Sequence, residues 1–228
     1  MAAAPAALTV RRDFARVPAL TLERLRSAST GWIVDANGRR GALDWHIRPQ
    51  TTATKFIGSA LTVHTRARDN LAPYAALAFA KPGDVMIVSA DNYEEASVVG
   101  DVLLGMARNA GVVALITDGM VRDIDGLNAV GIPVFARGLS PNSPYKDGPG
   151  EIGLPIAIGG IVVNAGDLIV GDQDGLVVVA REQVDAAAAE LDTVTAKETM
   201  MDGWVRDGAK VPIWLEGTMA TKGVRYVD

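Results

Sequence analysis

The pattern of apolar and polar positions predicts an α/β fold. Residues 85–88 and 112–117 are short apolar runs of the kind found in buried strands. Between them, from 94 to 110, small and aliphatic residues recur at steps of three and four, which predicts an amphipathic helix ending at Gly111. A strand, a helix and a strand at this spacing predict a parallel βαβ unit.

The second half of the chain predicts further strands. Four short apolar segments lie between residues 156 and 179, separated by Gly-Gly, Ala-Gly-Asp and Asp-Gly turns. Before them, residues 138–153 are rich in Pro, Gly, Ser and Asn. A loop of that length inside a compact domain is more often functional than accidental. The fold class is therefore α/β with a β-rich second half.

Three parts can be distinguished along the chain. Residues 1–16 are Ala-rich with few packing residues, which predicts a flexible arm. Residues 17–200 form the α/β domain, with short helical segments at its start and a longer helix near its end. Residues 201–228 form a C-terminal extension that carries Trp204 and Trp214. We expect this extension to pack on a neighbouring subunit, because two tryptophans on a terminal extension are typical of a docking surface.

Composition narrows the classes of function. A net charge of -5 argues against direct nucleic-acid binding, which needs a basic surplus. The absence of cysteine excludes disulfides and thiolate metal sites, and the two histidines, His46 and His64, are interpreted as structural. A metal would then be a hard cation held by oxygens. No apolar run is long enough for a membrane span, and the start of the chain lacks the order of a secretory signal, so we expect a cytoplasmic protein.

Three charged residues are the best candidates for chemistry. The predicted βαβ unit brings Asp101, near the start of its helix, to the sheet edge where Arg122 and Asp123 follow the next strand. The alternative is that Asp101 is a solvated residue of an early helical turn and Asp123 a helix cap. Gly100 lies inside the predicted helix, where alanine would be more favourable by roughly 0.5–1 kcal/mol. That cost indicates a close approach of backbone or ligand.

These residues also carry a resemblance to a known family. Asp101, twenty further residues and then Arg122-Asp123, together with Gly111 and Asp118-Gly119, resemble a signature shared by two groups of proteins. One group is the RraA-type regulators of ribonuclease E. The other is the 4-hydroxy-4-methyl-2-oxoglutarate and 4-carboxy-4-hydroxy-2-oxoadipate aldolases. The segment from Gly160 to Val179 matches as well, so the likeness covers roughly residues 20–200.

The resemblance implies a swivelling β/β/α fold that assembles as a homotrimer or a dimer of trimers, with the active site between subunits. It implies that Asp123 binds Mg²⁺ or Mn²⁺ and that Asp101 supports this ion through water. Arg122 is then expected to contact a small 2-oxo acid, and Asp101 to hold a water that accepts and returns a proton.

Other positions follow from the resemblance with weaker alignment. Lys146, in the long loop, is the candidate for a further substrate contact, and Glu198, from a neighbouring subunit, for a further metal ligand. The backbone amides around the helix start are expected to meet the pyruvyl carboxylate. They belong to Gly100, Val102, Leu103 and Leu104.

The function expected from these residues is a divalent-metal-dependent class II aldolase that releases pyruvate and also decarboxylates oxaloacetate. The alternative is a non-catalytic regulator that binds ribonuclease E or another protein, and a third possibility is an enzyme acting on a different 2-oxo acid.

One position departs from the aldolases. Many of them carry an acidic residue three positions after the Arg-Asp pair, where this chain has Gly126, with Asp125 one step earlier. The departure bears on substrate range and on aldolase activity itself.

Overall fold

The computed structural model describes residues 6–227, and a mixed sheet of nine strands forms the centre of this part of the chain. The strands are β1 (Leu8–Val10), β2 (Arg48–Pro49), β3 (Phe56–Thr65), β4 (Asp84–Ser89), β6 (Ala114–Thr117), β8 (Val134–Ala136), β10 (Gly150–Ile152), β13 (Leu168–Asp172) and β14 (Gly175–Val179). Their order is β1-β10-β3-β4-β6-β8-β2, and β13 joins through β3 and pairs with β14. The predicted α/β fold with a β-rich second half is confirmed.

Two smaller sheets complete the strands. A hairpin is formed by β11 (Ile156–Ile158) and β12 (Ile161–Val163), and a parallel three-stranded sheet by β5 (Ser97–Val99), β7 (Met120–Val121) and β9 (Gly138–Leu139). The helices are α1 (Ala19–Leu25), α2 (Thr30–Ala36), α3 (Leu71–Ala76), α4 (Asp101–Asn109), α5 (Ile124–Val130), α6 (Val184–Arg206) and α7 (Leu215–Lys222), with a 3₁₀ turn at Arg181–Gln183.

The central strands are buried on both faces, as parallel strands usually are. The predicted parallel pairing of β4 with β6 is confirmed, with Val85 opposite Ala114 and Val88 opposite Thr117. Side chains alternate along β4: Met86 and Val88 pack with α3, α4 and α5, whereas Val85 and Ile87 pack with the β11–β12 hairpin. Helices α1, α2 and α6 cover β13 and β14.

The helix predicted over 94–110 begins only at Asp101. Ser97–Val99 is strand β5, because its buried valines fit a pleated surface and pair with Met120–Val121. Gly100 is therefore the N-cap residue of α4 and not an interior helical residue. Glu94 does not lie in a first helical turn and pairs with Arg137 instead, at 2.8 Å.

The part boundaries also differ from the prediction. The flexible arm predicted over 1–16 is wrong where Leu8–Val10 pairs with β10 as β1; residues 1–5 lie outside the described residues. The boundary placed at residue 200 falls inside α6, which runs to Arg206. The loop predicted over 138–153 contains β9 at its start and β10 near its end.

Candidate active site

The three strands of the small parallel sheet converge on one place. Strand β5 leads into Gly100 and Asp101, β7 leads into Arg122 and Asp123, and β9 leads into the segment 140–149. The carboxyl ends of parallel strands lie at the same edge, where ligands usually bind in α/β folds. The sequence predicted that Asp101 and Asp123 converge, although it assigned them to the strand pair β4 and β6 and not to β5 and β7.

A cavity of about 180 Å³ lies at this edge. Seven residues singled out from the sequence line it: Gly100, Asp101, Val102, Leu103, Arg122, Asp123 and Lys146. The other lining residues include Asn70, Tyr74 and Ser143, which were not singled out from the sequence. Ser143 belongs to the loop that composition marked as functional. Asn70 and Tyr74 belong to the start of α3, whose ordinary helical composition carries no signal of a site.

Asp123 is not a conventional helix cap. It occupies the N-cap position of α5, but its side chain accepts no capping hydrogen bond and its φ is 63°. A left-handed conformation at a residue other than glycine is strained, and such strain concentrates at functional sites. Its Oδ2 lies 3.3 Å from Arg122 Nε, and the side chain is 43% exposed. The Asp123 carboxylate is therefore available to the cavity.

Asp101 is held at the first position of α4. Its Oδ1 accepts a hydrogen bond from the Val102 amide at 2.7 Å. On its other side, Oδ2 lies against Gly126, where an added Cβ would overlap it. The reading of Asp101 as a freely solvated helix residue therefore does not fit its surroundings.

Two cations face these carboxylates. Arg122 Nη1 donates to Ser143 Oγ at 2.7 Å, which fixes the guanidinium against the long loop. Lys146 is exposed, and its Nζ lies 5.6 Å from the ring centroid of Tyr74. A site with both signs of charge can hold a cation and an anionic acid together.

The first turn of α4 offers fewer free amides than the sequence suggested. Val102 N–H is engaged by Asp101, and Leu104 N–H donates to Gly100 O at 3.1 Å. Within residues 6–227 the amides of Asp101 and Leu103 have no acceptor, so these remain for a carboxylate. The Leu104 side chain is fully buried in the core.

Behind the site, Asp118 fixes the loop that follows β4. Its Oδ1 accepts from Ala90 N at 2.6 Å, and its Oδ2 from Ser89 Oγ at 3.3 Å. Burial raises the pKa of this carboxyl above 3.8, against the opposing effect of these hydrogen bonds. Asp118 does not line the cavity, and its contacts are those of a structural residue.

Three residues discussed from the sequence lie away from the cavity. Glu198 lines a separate cavity of about 980 Å³ with Trp32, Trp45 and Asp174, so its role toward a neighbouring subunit's site stays a prediction. His46 pairs with Asp44, with Nδ1 and Oδ1 2.7 Å apart. His64 pairs with Asp91, with Nε2 and Oδ1 3.2 Å apart.

The carboxylates at the cavity suit a hard cation for which the protein supplies only some of the ligands. Among the described residues, no cluster of three or more His, Asp or Glu side chains could enclose a metal. Two residues with carboxylates, Asp101 and Asp123, line the cavity. Mg²⁺ is usually bound through one or two carboxylates, with water and substrate oxygens filling its shell. The residues present therefore fit such an ion.

Known proteins are similar to this chain in sequence and in fold. A family model described as RraA-like, Aldolase/RraA, matches residues 30–178. A Halalkalibacterium halodurans protein, provisionally named 4-hydroxy-4-methyl-2-oxoglutarate aldolase, is 36% identical over 162 residues, 71% of this chain and 77% of that protein. Within residues 6–227, no helix combines the length and apolar character that crossing a bilayer requires.

Two solved structures are similar throughout most of their length. An uncharacterised protein from Pseudomonas syringae superposes with a TM-score of 0.75 and 25% identity, covering 86% of this chain and 96% of that one. An RNA-processing inhibitor, RraA, from Thermus superposes with a TM-score of 0.63 and 25% identity, covering 67% of this chain and 93% of that one.

Proposed function

The chain belongs to the RraA-like family, and on that premise we propose that it is a divalent-metal-dependent class II aldolase. It cleaves a 4-hydroxy-2-oxo acid of the 4-hydroxy-4-methyl-2-oxoglutarate type to pyruvate and also decarboxylates oxaloacetate. The observation that carries the proposal is the convergence of Asp101, Arg122 and Asp123 on one cavity. The Halalkalibacterium halodurans relative, with its provisional aldolase name, supports the class of reaction.

Asp123 is the residue proposed to hold Mg²⁺ or Mn²⁺, because its carboxylate is exposed to the cavity and free of capping bonds. An ion held there would withdraw electrons from the 2-oxo group of the substrate. Arg122, permanently charged and fixed by Ser143, faces the developing negative charge on the pyruvyl oxygen. The free amides of Asp101 and Leu103 are placed to bind the pyruvyl carboxylate.

Asp101 is proposed to work as the base, through a water. Asp101 lines the cavity, and among the described residues its carboxylate accepts a single hydrogen bond, from Val102 N–H to Oδ1, so it keeps the capacity to orient a water. That water accepts the proton of the 4-hydroxyl group as the carbon–carbon bond breaks, and a proton then returns to the methylene carbon of the pyruvate enolate. Oxaloacetate, which loses carbon dioxide to give the same enolate, needs only the second of these transfers.

The first test follows pyruvate released from 4-hydroxy-4-methyl-2-oxoglutarate and from oxaloacetate, with Mg²⁺ or with a chelator. We expect metal-dependent pyruvate from both acids. The substitution Asp123→Asn should lower kcat by about 100-fold or more, the scale of losing a group that stabilises developing charge. Asp125→Asn is the matched control, since this exposed carboxylate lies two residues away and does not line the cavity. No pyruvate from either acid, or equal rates for the two variants, would refute the proposal.

A second function is favoured by one observation, the similarity to the Thermus RNA-processing inhibitor RraA. In that case the chain binds a ribonuclease of the ribonuclease E type and inhibits it, with the cavity playing no catalytic part. Adding the purified protein to ribonuclease E during cleavage of a model RNA separates the two functions. Inhibition that persists in the Asp123→Asn variant, together with no turnover of either oxo acid, would select the regulator.

A further inference from the structure

Gly126 stands three positions after the Arg122-Asp123 pair. It lies in the first turn of α5, and its φ is outside the left-handed region, so the backbone does not require glycine there. Glycine is also less favourable than alanine in a helix. The reason for glycine must therefore be sought in the space around it.

Asp101 fills the space beside Gly126. A Cβ added at Gly126 would overlap Asp101 Oδ2, and it would lie 2.6 Å from Asp101 Cβ and 2.8 Å from Asp101 Cγ. Non-bonded carbon atoms are in good contact only at about 3.5–4.0 Å. Even alanine at this position requires Asp101 to move, and a carboxylate side chain requires a larger displacement.

The contact has a counterpart on the neighbouring helix start. Gly100 precedes Asp101, and a Cβ at Gly100 would lie 2.5 Å from Asp123 Oδ2. Asp101 thus packs against Gly126 in the first turn of α5, and Asp123 packs against Gly100 at the start of α4. Asp101 is further fixed by the Val102 amide, so its carboxylate is bounded on two sides.

We infer that Gly126 is a positioning residue: its missing side chain sets where the Asp101 carboxylate lies. An acidic residue at position 126 would displace Asp101 and would not add a third carboxylate to the site. The consequence for turnover rests on the proposed function, whereas the steric coupling of residues 101 and 126 does not.

The steric part is tested by thermal unfolding of Gly126→Ala in the native protein and in an Asp101→Gly background, which removes the three nearest atoms. In the native background we expect the Tm to fall by about 3–10 °C, the scale of overpacking in a chain of this size. In the Asp101→Gly background the change should vanish or become a rise. Gly105→Ala in α4 is the control, because the nearest atom to its added Cβ is Val130 Cγ2 at 3.9 Å. It should not lower the Tm in either background.

The positioning part is tested by oxaloacetate kinetics and by Mn²⁺ binding. Gly126→Ala and Gly126→Asp should each lower kcat by at least about tenfold, because small displacements of a catalytic group cost up to about 100-fold. KM should stay within about threefold, since Arg122 and Asp123 are unchanged, and Gly105→Ala should keep its kcat. A merely structural defect would lower the fraction of active protein, and the number of Mn²⁺ ions bound per chain would then fall together with kcat. For a positioning role that number should stay at its native value.

Two results would overturn the inference. One is an equal Tm change for Gly126→Ala in both backgrounds, and the other is a Gly126→Asp variant as active as the native protein. If the native protein turns over neither acid, the proposed aldolase function fails, and the unfolding experiment still decides whether Gly126 sets the place of Asp101.

Discussion

Gly100 offers a direct test of how Asp123 is placed. Its φ of -129° and ψ of -177° suit any residue, so Gly100→Ala introduces no backbone strain. Its added Cβ would lie 2.5 Å from Asp123 Oδ2, whereas the next nearest atoms, of Arg122, would be in ordinary contact at 3.5 Å. We expect the kcat for metal-dependent pyruvate release to fall by about tenfold or more, because Asp123 must turn away.

The matched control is Gly31→Ala in α2, where an added Cβ meets nothing within 4 Å. This variant should retain full turnover and unfold at the native Tm or slightly above it, since alanine favours helix over glycine. Pyruvate assays at saturating Mg²⁺, with circular dichroism melts of both variants, make the comparison. Equal turnover in the two variants would contradict the role assigned to Gly100.

Single residues show how far the sequence alone can lead. Asp101, Arg122 and Asp123 could be placed together because helix and strand spacing fixes which sheet edge they reach. The fit of Asp101 against Gly126 could not be predicted, since it depends on the relative placement of two helix starts by a few tenths of an ångström. Asn70 was missed for the same reason: its Nδ2 donates to Val98 O at 3.1 Å, a contact between distant segments.

At the scale of elements, an ion pair fastens the N-terminal segment to the sheet. Arg16 donates to both oxygens of Asp84, from Nε at 2.6 Å and from Nη2 at 2.8 Å. Asp84 is fully buried at the start of β4, and Arg16 is 15% exposed. Removing one member of such a pair leaves the other buried and unpaired, which costs about 3–5 kcal/mol.

Asp84→Asn is therefore expected to lower the free energy of unfolding by about 3–5 kcal/mol, measured by urea denaturation. Asp192→Asn serves as the control. Asp192 pairs with Arg24 at 2.7 Å, but the two side chains are 75% and 50% exposed, so the change should stay within about 1 kcal/mol. Similar losses in the two variants would show that the N-terminal segment is not held by the Arg16 pair.

Strand β5 shows why an element can be misjudged from the sequence. Ala96 and Val99 continue the three- and four-residue spacing of α4, so periodicity alone extends the helix backward to Glu94. Pairing of Ser97–Val99 with β7 overrides that local preference, because the buried valines gain a neighbouring strand. The central strands were predictable, since continuous apolar runs fit buried parallel strands and little else of that length.

At the scale of the whole molecule, the C-terminal extension lacks a core of its own. The residues that α6 buries end at Leu191, and α7 buries none of its eight residues. A helix this short is marginal in water unless it packs on something. Large apolar side chains of the extension are nevertheless exposed, among them Val211, Ile213, Trp214 and Tyr226. This exposure is a stronger reason than the two tryptophans alone for the prediction that the extension packs on a neighbouring subunit.

Deleting residues 208–228 is expected to reduce the mass of the assembly in solution, from the predicted trimer or dimer of trimers to a smaller species. Burial of several large apolar side chains between copies stabilises an assembly by roughly 1.5–3 kcal/mol per fully buried side chain, and the deletion removes that contribution. Light scattering coupled to size exclusion gives the mass, and circular dichroism checks that the α/β domain remains folded.

Trp214→Ser should weaken the assembly in the same direction, so that dissociation appears at a higher protein concentration than in the native chain. Trp45→Ser is the control, because Trp45 is 65% exposed but lies outside the extension. An unchanged mass in the deleted protein would mean that other surfaces hold the subunits together.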